Sequence, residues 1–308
     1  MRYAVIGSEG FIGSSVCRIL SSRRSTTFFK IDRIMPKKDG ACAGRYRIDI
    51  RDTGAVASLC KKRNIDVVLN LSGIFNAPHT EDLFEMNSFA PVRLLEALQG
   101  YRSTVVLVGS AAEYGIHKQK NRISEQTSLN PVSDYGVSKA CQTFMALRFA
   151  GRFKLPKIII ARPFNVVGPG MPEHLFLGSF ARQLSRIEKG LQEPVITAGN
   201  LTSFRDIIPV DQLALALVEI PWKGRHGHVY NVCSGIPVKI RSVLEDLIKR
   251  STKKITINIS QKRFKKYDIP WSVGSNSKIN KILRIRTTKK DLSNAVTETL
   301  EYYRTRKP

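Results

Sequence analysis

Acidic residues are what this chain is short of. Its 308 residues hold 25 Asp and Glu against 50 Lys and Arg, a formal charge of +25. Such a balance favours anionic partners: a nucleotide diphosphate, a polyanion or an acidic membrane surface. The excess is uneven, with 21 Lys and Arg against 6 Asp and Glu in residues 223–308. Yet Lys281, Arg284, Arg286 and Lys289 are spread along the chain rather than packed in a tract, as on a solvated basic face. Cysteine is scarce too. Cys17, Cys42, Cys60, Cys141 and Cys233 form no C-x-x-C pair, which excludes a disulfide scaffold and reads as reduced, buried thiols of a cytoplasmic protein. No His/Cys cluster has ligand spacing, so no metal is expected; His226 and His228 read as turn residues. No apolar run approaches the roughly 20 residues of a membrane span. Residues 2–7 enter a strand at once, which leaves no room for a signal peptide. Internal repeats and low-complexity linkers are lacking as well.

What the chain has is alternation. Residues 2–7, 26–32, 66–72, 104–110 and 158–164 are apolar, β-branched runs that read as strands buried on both faces, with a shorter one at 45–50. Helical patterns at 10–22, 53–63, 82–99 and 133–151 lie between them. The order predicts an α/β fold, a Rossmann-like doubly wound parallel sheet. After residue 165 the pattern changes to a helix over 174–190, a half-exposed strand over 254–260 and a closing helix from Leu292 to Tyr303. The expected organisation is a dinucleotide-binding domain over 1–165 and a smaller C-terminal α/β substrate-binding lobe over 166–308, with the chain interleaving between them.

Gly7-x-x-Gly10-x-x-Gly13 follows the first strand and opens the first helix. Small residues there allow a tight turn and let a diphosphate approach unpaired N–H groups at the helix start. Asp32 ends the second strand, where a carboxylate can accept both ribose hydroxyls of an adenosine; this favours NAD. Arg33 follows and could stack on adenine or neutralise a 2′-phosphate, so the preference for NAD over NADP is slight. Asp49 and Ile50 end the third strand, where an adenine edge could be read or where Asp49 is simply a solvated acid.

Tyr-x-x-x-Lys occurs three times. Tyr114/Lys118 lies in a turn and Tyr303/Lys307 at the fraying end. Only Tyr135/Lys139 begins a long helix beside the sheet, where positions four apart share one face. A free phenol ionises near pH 10, so forming the phenolate at neutrality costs roughly 4 kcal/mol, and a fixed ammonium lowers that cost. Tyr135 is then an acid/base for a sugar oxygen, Lys139 its tuning cation, and Ser110 a hydroxyl that holds the same oxygen or else caps a turn.

Taken together these residues resemble the extended short-chain dehydrogenase/reductase family of nucleotide-sugar enzymes, nearly end to end. Within it, the strings at 109–115, 134–139, 162–170, 199–206, 230–235 and 268–278 resemble GDP-4-keto-6-deoxy-mannose reductases. The resemblance implies a cofactor site that includes Gly7, Gly10, Phe11, Ile12, Gly13, Asp32, Arg33, Asp49, Ile50, Leu71, Tyr135 and Lys139, with Asn87 at a further family position. It implies that Ser110, Asn165, Arg205, Asn231 and Arg263 or Lys265 hold the substrate's diphosphate and sugar. Arg205 could instead pair with Asp206 or Asp211, and Asp211 reads as a cap of a helix over 212–219. It also implies a homodimer through the helices at 82–99 and 133–151.

Related 4,6-dehydratases carry an acidic residue where this chain has Ala112. Glu113 falls one position later, on the other side of an extended segment, so dehydration is disfavoured. Phe75-Asn76 replaces a usual polar stretch. The leading expectation is an NAD(P)H-dependent reductase acting at C4 of a nucleotide-linked 4-keto-6-deoxy sugar, from GDP-4-keto-6-deoxy-mannose to GDP-rhamnose, for surface polysaccharide. A 4-epimerase with tightly bound NAD, or a reductase of a dTDP- or CDP-linked keto sugar, is the alternative. A non-catalytic dinucleotide binder that uses its basic lobe on nucleic acid or membrane has no need of a tuned phenol, so neither partner is expected.

Overall fold

The computed structural model describes residues 1–35, 42–117, 120–264 and 267–306. Lys118, Lys265 and Lys307 lie outside the described residues. In the first half, strands β1 (Arg2–Ile6), β2 (Thr27–Asp32), β3 (Gly44–Arg47), β4 (Val67–Asn70), β5 (Thr104–Val108) and β6 (Lys157–Pro163) alternate with helices α1 (Phe11–Ser21), α2 (Thr53–Lys62), α3 (Thr80–Phe84), α4 (Ala90–Ala97) and α5 (Asp134–Arg152). The single helix expected over 82–99 is broken: a π turn, Glu85–Phe89, joins α3 to α4. Pro91 stands in the first turn of α4 and has no N–H to give the carbonyl four residues back, so the wider turn relieves the lost bond.

In the second half come β7 (Asn165–Val167), α6 (Phe176–Glu188), β8 (Val195–Ala198), β9 (Phe204–Pro209), α7 (Val210–Lys223) and β10 (His228–Val232). β11 (Pro237–Lys239), α8 (Ile240–Ile248), β12 (Thr256–Ile259), β13 (Trp271–Ser272), α9 (Ser277–Leu283) and α10 (Lys289–Thr305) follow.

Seven strands form one parallel sheet in the order β10-β6-β5-β4-β1-β2-β3. Strand periodicity explains the two covered faces. Tyr3 and Val5 point to one core, with Val16 and Leu20 of α1 and Leu213 and Leu217 of α7. Ala4 and Ile6 point to the other, with Val56 of α2, Leu94 and Leu95 of α4 and Phe149 of α5. The seventh strand, β10, comes from beyond residue 165, so the chain crosses back into the dinucleotide-type sheet after starting the second lobe. That lobe has its own core, where Leu177, Phe180 and Leu184 of α6 meet Leu247 of α8 and Leu292, Val296 and Leu300 of α10. Two small sheets flank it: β7, β11 and β13 around β9, and β12 beside β8. Helix α10 starts earlier than its apolar pattern, at Lys289, because Thr288 and Asp291 close a capping box. No helix among the described residues is long and apolar enough to cross a membrane.

Candidate active site

The strand order reverses between β1 and β4, and a ligand crevice opens beyond the strand ends at such a switch point. Gly7 follows β1 with φ +78°. A Cβ there would fall 2.9 Å from the Leu71 carbonyl carbon, and a Cβ on Gly13 would fall 2.0 Å from the Gly7 oxygen. Only glycine permits this turn. Gly10 is the N-cap of α1 and offers no side-chain cap, so the first-turn N–H groups, at Phe11, Ile12 and Gly13, are left for an anion. Asp32 Oδ2 accepts the Glu9 N–H at 3.0 Å, which ties the end of β2 to the glycine turn. Below it Lys30 pairs with Glu9 at 3.3 Å. A cradle that any Cβ would fill, an uncapped helix start and a strand-end carboxylate fit a dinucleotide. Arg33 is exposed beside Asp32, and Ile50 is buried. Asp49 accepts three bonds from Arg51, and that cation holds its carboxyl below the usual range.

Ser133 caps α5 by accepting the Gly136 N–H at 3.1 Å, which starts the helix at the residue before Tyr135. Tyr135 is half-buried, and the Ser110 side chain lies near enough to its phenol to lower the proton affinity. Lys139 is buried, with Nζ donating to the Val108 carbonyl at 2.9 Å. Asn87, at the π turn, gives its amide to Ile74 O and Ser138 Oγ and accepts Ile74 N–H. A Cβ on Gly73 would sit 3.0 Å from Asn87 Oδ1 and 3.3 Å from Lys139 Nζ. The structure thus brings Ser110, Tyr135 and Lys139 together at the mouth of the crevice.

Their proton affinities differ from the expectation. Burial pushes the Tyr135 phenol up; the Ser110 side chain opposes this and the Glu113 charge adds to it. Burial lowers Lys139 to about 8, against a raising effect of Glu113. Tyr135 therefore stays a phenol at neutral pH, the state of a proton donor.

Three features escaped the sequence. Residues Ala111–Glu113 form a 3₁₀ turn, not an extended segment, so Glu113 folds inward. It is fully buried, with Oε2 taking Arg162 at 2.7 Å and Thr143 at 2.8 Å. The Ser-x-x-Glu spacing of a capping box was the signal available for it. Second, Asn231 is fully buried rather than open to a substrate. Its Oδ1 accepts the Tyr114 hydroxyl at 2.7 Å and its amide donates to Ile123 O at 3.0 Å. It stands behind Tyr114 and Ile123. Third, the exposed Phe75 ring lies 5.0 Å from Tyr135, tilted against it, and 5.4 Å from His174, stacked on it, centroid to centroid.

The other expected substrate residues stand on the second lobe. Asn165 donates to Asp206 O at 2.9 Å. Arg205 pairs with neither Asp206 nor Asp211: it donates to Ile269 O at 2.6 Å and faces Asp268 at 3.6 Å. Asp206 is buried under Ser234, Gly235 and Gly274. Asp211 is no cap but lies in the first turn of α7, paired with Arg18. Arg263 is exposed beside β8, donating to Thr197 O at 3.0 Å.

A parallel sheet with a glycine turn at its switch point and a Ser/Tyr/Lys set beside it defines an NAD(P)-dependent oxidoreductase of the short-chain type. The chain belongs to the NAD dependent epimerase/dehydratase family, whose profile matches residues 3–233. It is 28% identical over 251 residues to GDP-6-deoxy-D-mannose reductase of Pseudomonas aeruginosa, covering 79% of this chain and 78% of that one. GDP-6-deoxy-D-talose 4-dehydrogenase of Aggregatibacter actinomycetemcomitans is 24% identical over 288 residues, covering 92% and 91%. The structure of Pseudomonas aeruginosa RMD complexed with NADPH superposes with a TM-score of 0.85 at 23% identity, covering 99% of each chain; it shares the fold.

Proposed function

We propose that the protein reduces the C4 keto group of a nucleotide-linked 4-keto-6-deoxy sugar, with GDP-4-keto-6-deoxy-mannose as substrate and GDP-rhamnose, a precursor of surface polysaccharide, as product. One observation carries the choice of reduction over dehydration. The carboxylate nearest the Ser110 turn, Glu113, is buried and fully engaged by Arg162, Thr143 and the Ser110 N–H. Ala111 and Ala112 provide no base for the C5 proton. The GDP-6-deoxy-D-mannose reductase and GDP-6-deoxy-D-talose 4-dehydrogenase relatives support a GDP sugar.

A nicotinamide cofactor held by the glycine turn and Asp32 would supply the hydride. Tyr135 gives its proton to the C4 oxygen, Ser110 orients that oxygen, and Lys139 fixes the nicotinamide ribose and compensates the phenolate left behind. Gly7, Gly10, Phe11, Ile12 and Gly13 form the diphosphate cradle, with Leu71, Asp49 and Ile50 around the nucleotide. Asp32 favours NAD slightly over NADP, and Arg33 tempers that. Asn165, Arg205 and Arg263 are the polar and cationic residues for the substrate's diphosphate and sugar; Arg supplies a fixed fork of donors. We further infer a cytoplasmic homodimer.

The test mixes GDP-4-keto-6-deoxy-mannose with NADH or NADPH and follows the nicotinamide absorbance. Oxidation equal to the substrate added is expected, falling by about 10²-fold or more in Tyr135→Phe. No oxidation of either cofactor by folded protein would overturn the GDP-sugar assignment and bring a 4-epimerase or a dTDP- or CDP-linked sugar forward.

A further inference from the structure

Ser110 and Glu113 have the spacing of a capping box, in which a hydroxyl and a carboxylate close on each other's backbone N–H groups. Here the box reaches further than its own turn. Glu113 Oε1 accepts the Ser110 N–H at 2.7 Å, while Oε2 accepts Thr143 Oγ1 at 2.8 Å and the Arg162 guanidinium at 2.7 Å. Thr143 is four residues beyond Lys139 and eight beyond Tyr135, on the same face of α5. A single buried carboxylate thus joins the main chain that carries the Ser110 hydroxyl to the helix face that carries the phenol and the ammonium. β6 is the third anchor, through Arg162. The fit is close, because a Cβ at Gly109 would lie 2.3 Å from Oε1.

The titratable groups around it come from three elements. Its own turn brings Tyr114, which takes a second bond from Arg162 at 2.7 Å. β6 brings Arg162, and α5 brings Tyr135 and Lys139. Glu125 stands on the far side of Tyr114, accepting the Asn231 N–H.

We propose that Glu113 is a positioning residue of the active site: it locks the turn bearing Ser110 onto the helix bearing Tyr135 and Lys139. The charge raises the proton affinity of the phenol and of the ammonium alike. Both are then held in the protonated forms from which reduction of a carbonyl starts. The purpose of this device rests on the reductase reading; its measurement does not.

The experiment compares three variants. Glu113→Gln keeps the shape and removes the charge, but it strands the Arg162 cation. Glu113→Gln/Arg162→Gln removes both charges and leaves no stranded ion, so a folding defect in the first does not decide the outcome. Glu113→Asp keeps the charge and shortens the reach. Thermal melts check folding. The readout is phenolate absorbance on alkaline titration, taken as the difference between each protein and the same protein with Tyr135→Phe. The midpoint is expected to move down in both Gln variants and to stay nearer the wild type in Glu113→Asp. With a turnover assay in hand, kcat is expected to fall about 10- to 100-fold in all three, with KM little changed. An unchanged midpoint in the folded paired variant overturns the proposal. The titration needs no sugar substrate, so its failure is distinct from failure of the GDP-sugar assignment.

Discussion

Lys139 is the residue whose surroundings make the sharpest demand. Its amine is buried against the Val108 carbonyl, and burial lowers it to about 8 from an ordinary value of 10.5. Between those two pH values the unfolded chain holds a proton that the folded chain has lost, so this group makes stability rise with pH across the interval. Below about pH 8 the cost of burying the ammonium is fully present. Urea denaturation of the wild type and Lys139→Met should therefore diverge: the wild type gains on the order of 3 kcal/mol relative to the variant between pH 7 and pH 10.5. Parallel pH profiles would show that Lys139 is not buried as described. Ser110, Tyr135 and Lys139 were legible in sequence because chain order and helical spacing put them together. Glu113 was not, since a turn taken as extended sends its side chain the wrong way. The burial of Asn231 was not legible either: a motif does not tell whether a polar side chain faces the crevice or the core.

Helix α5 has a chemical face and a separate exposed apolar stripe. Its inward face carries Tyr135, Lys139 and Thr143, while Val137 and Phe144, seven residues apart, remain 40% and 60% exposed on another stripe. Phe89 of the adjoining π turn is exposed as well. Apolar residues grouped in this way are what a partner surface covers. Sedimentation equilibrium at micromolar concentration should show a dimer for the wild type and a monomer for Phe144→Lys. A wild-type monomer, or a dimer unaffected by that charge, would remove the homodimer from the proposal. The long regular elements of the first half were visible as apolar runs and 3.6-residue periods. The break at the π turn and strand β10 were not: the first depends on one proline's missing donor, the second on a long-range pairing with β6.

At the scale of the whole molecule, a doubly wound sheet brings a glycine turn, a strand-end carboxylate and the Ser110/Tyr135/Lys139 set to one crevice, and a second lobe carries Arg205 and Arg263. The excess basic charge of residues 223–308 suits an anionic substrate but does not select its base or sugar. The central claim is that hydride leaves the cofactor for C4 of the sugar and stays there. It is tested most directly by supplying nicotinamide cofactor deuterated at its transferring position and locating the label by NMR of the isolated product. Reduction predicts one deuterium at C4 of the 6-deoxy sugar for each cofactor oxidised. A sugar changed at C4 without deuterium, with the cofactor still reduced, would contradict it.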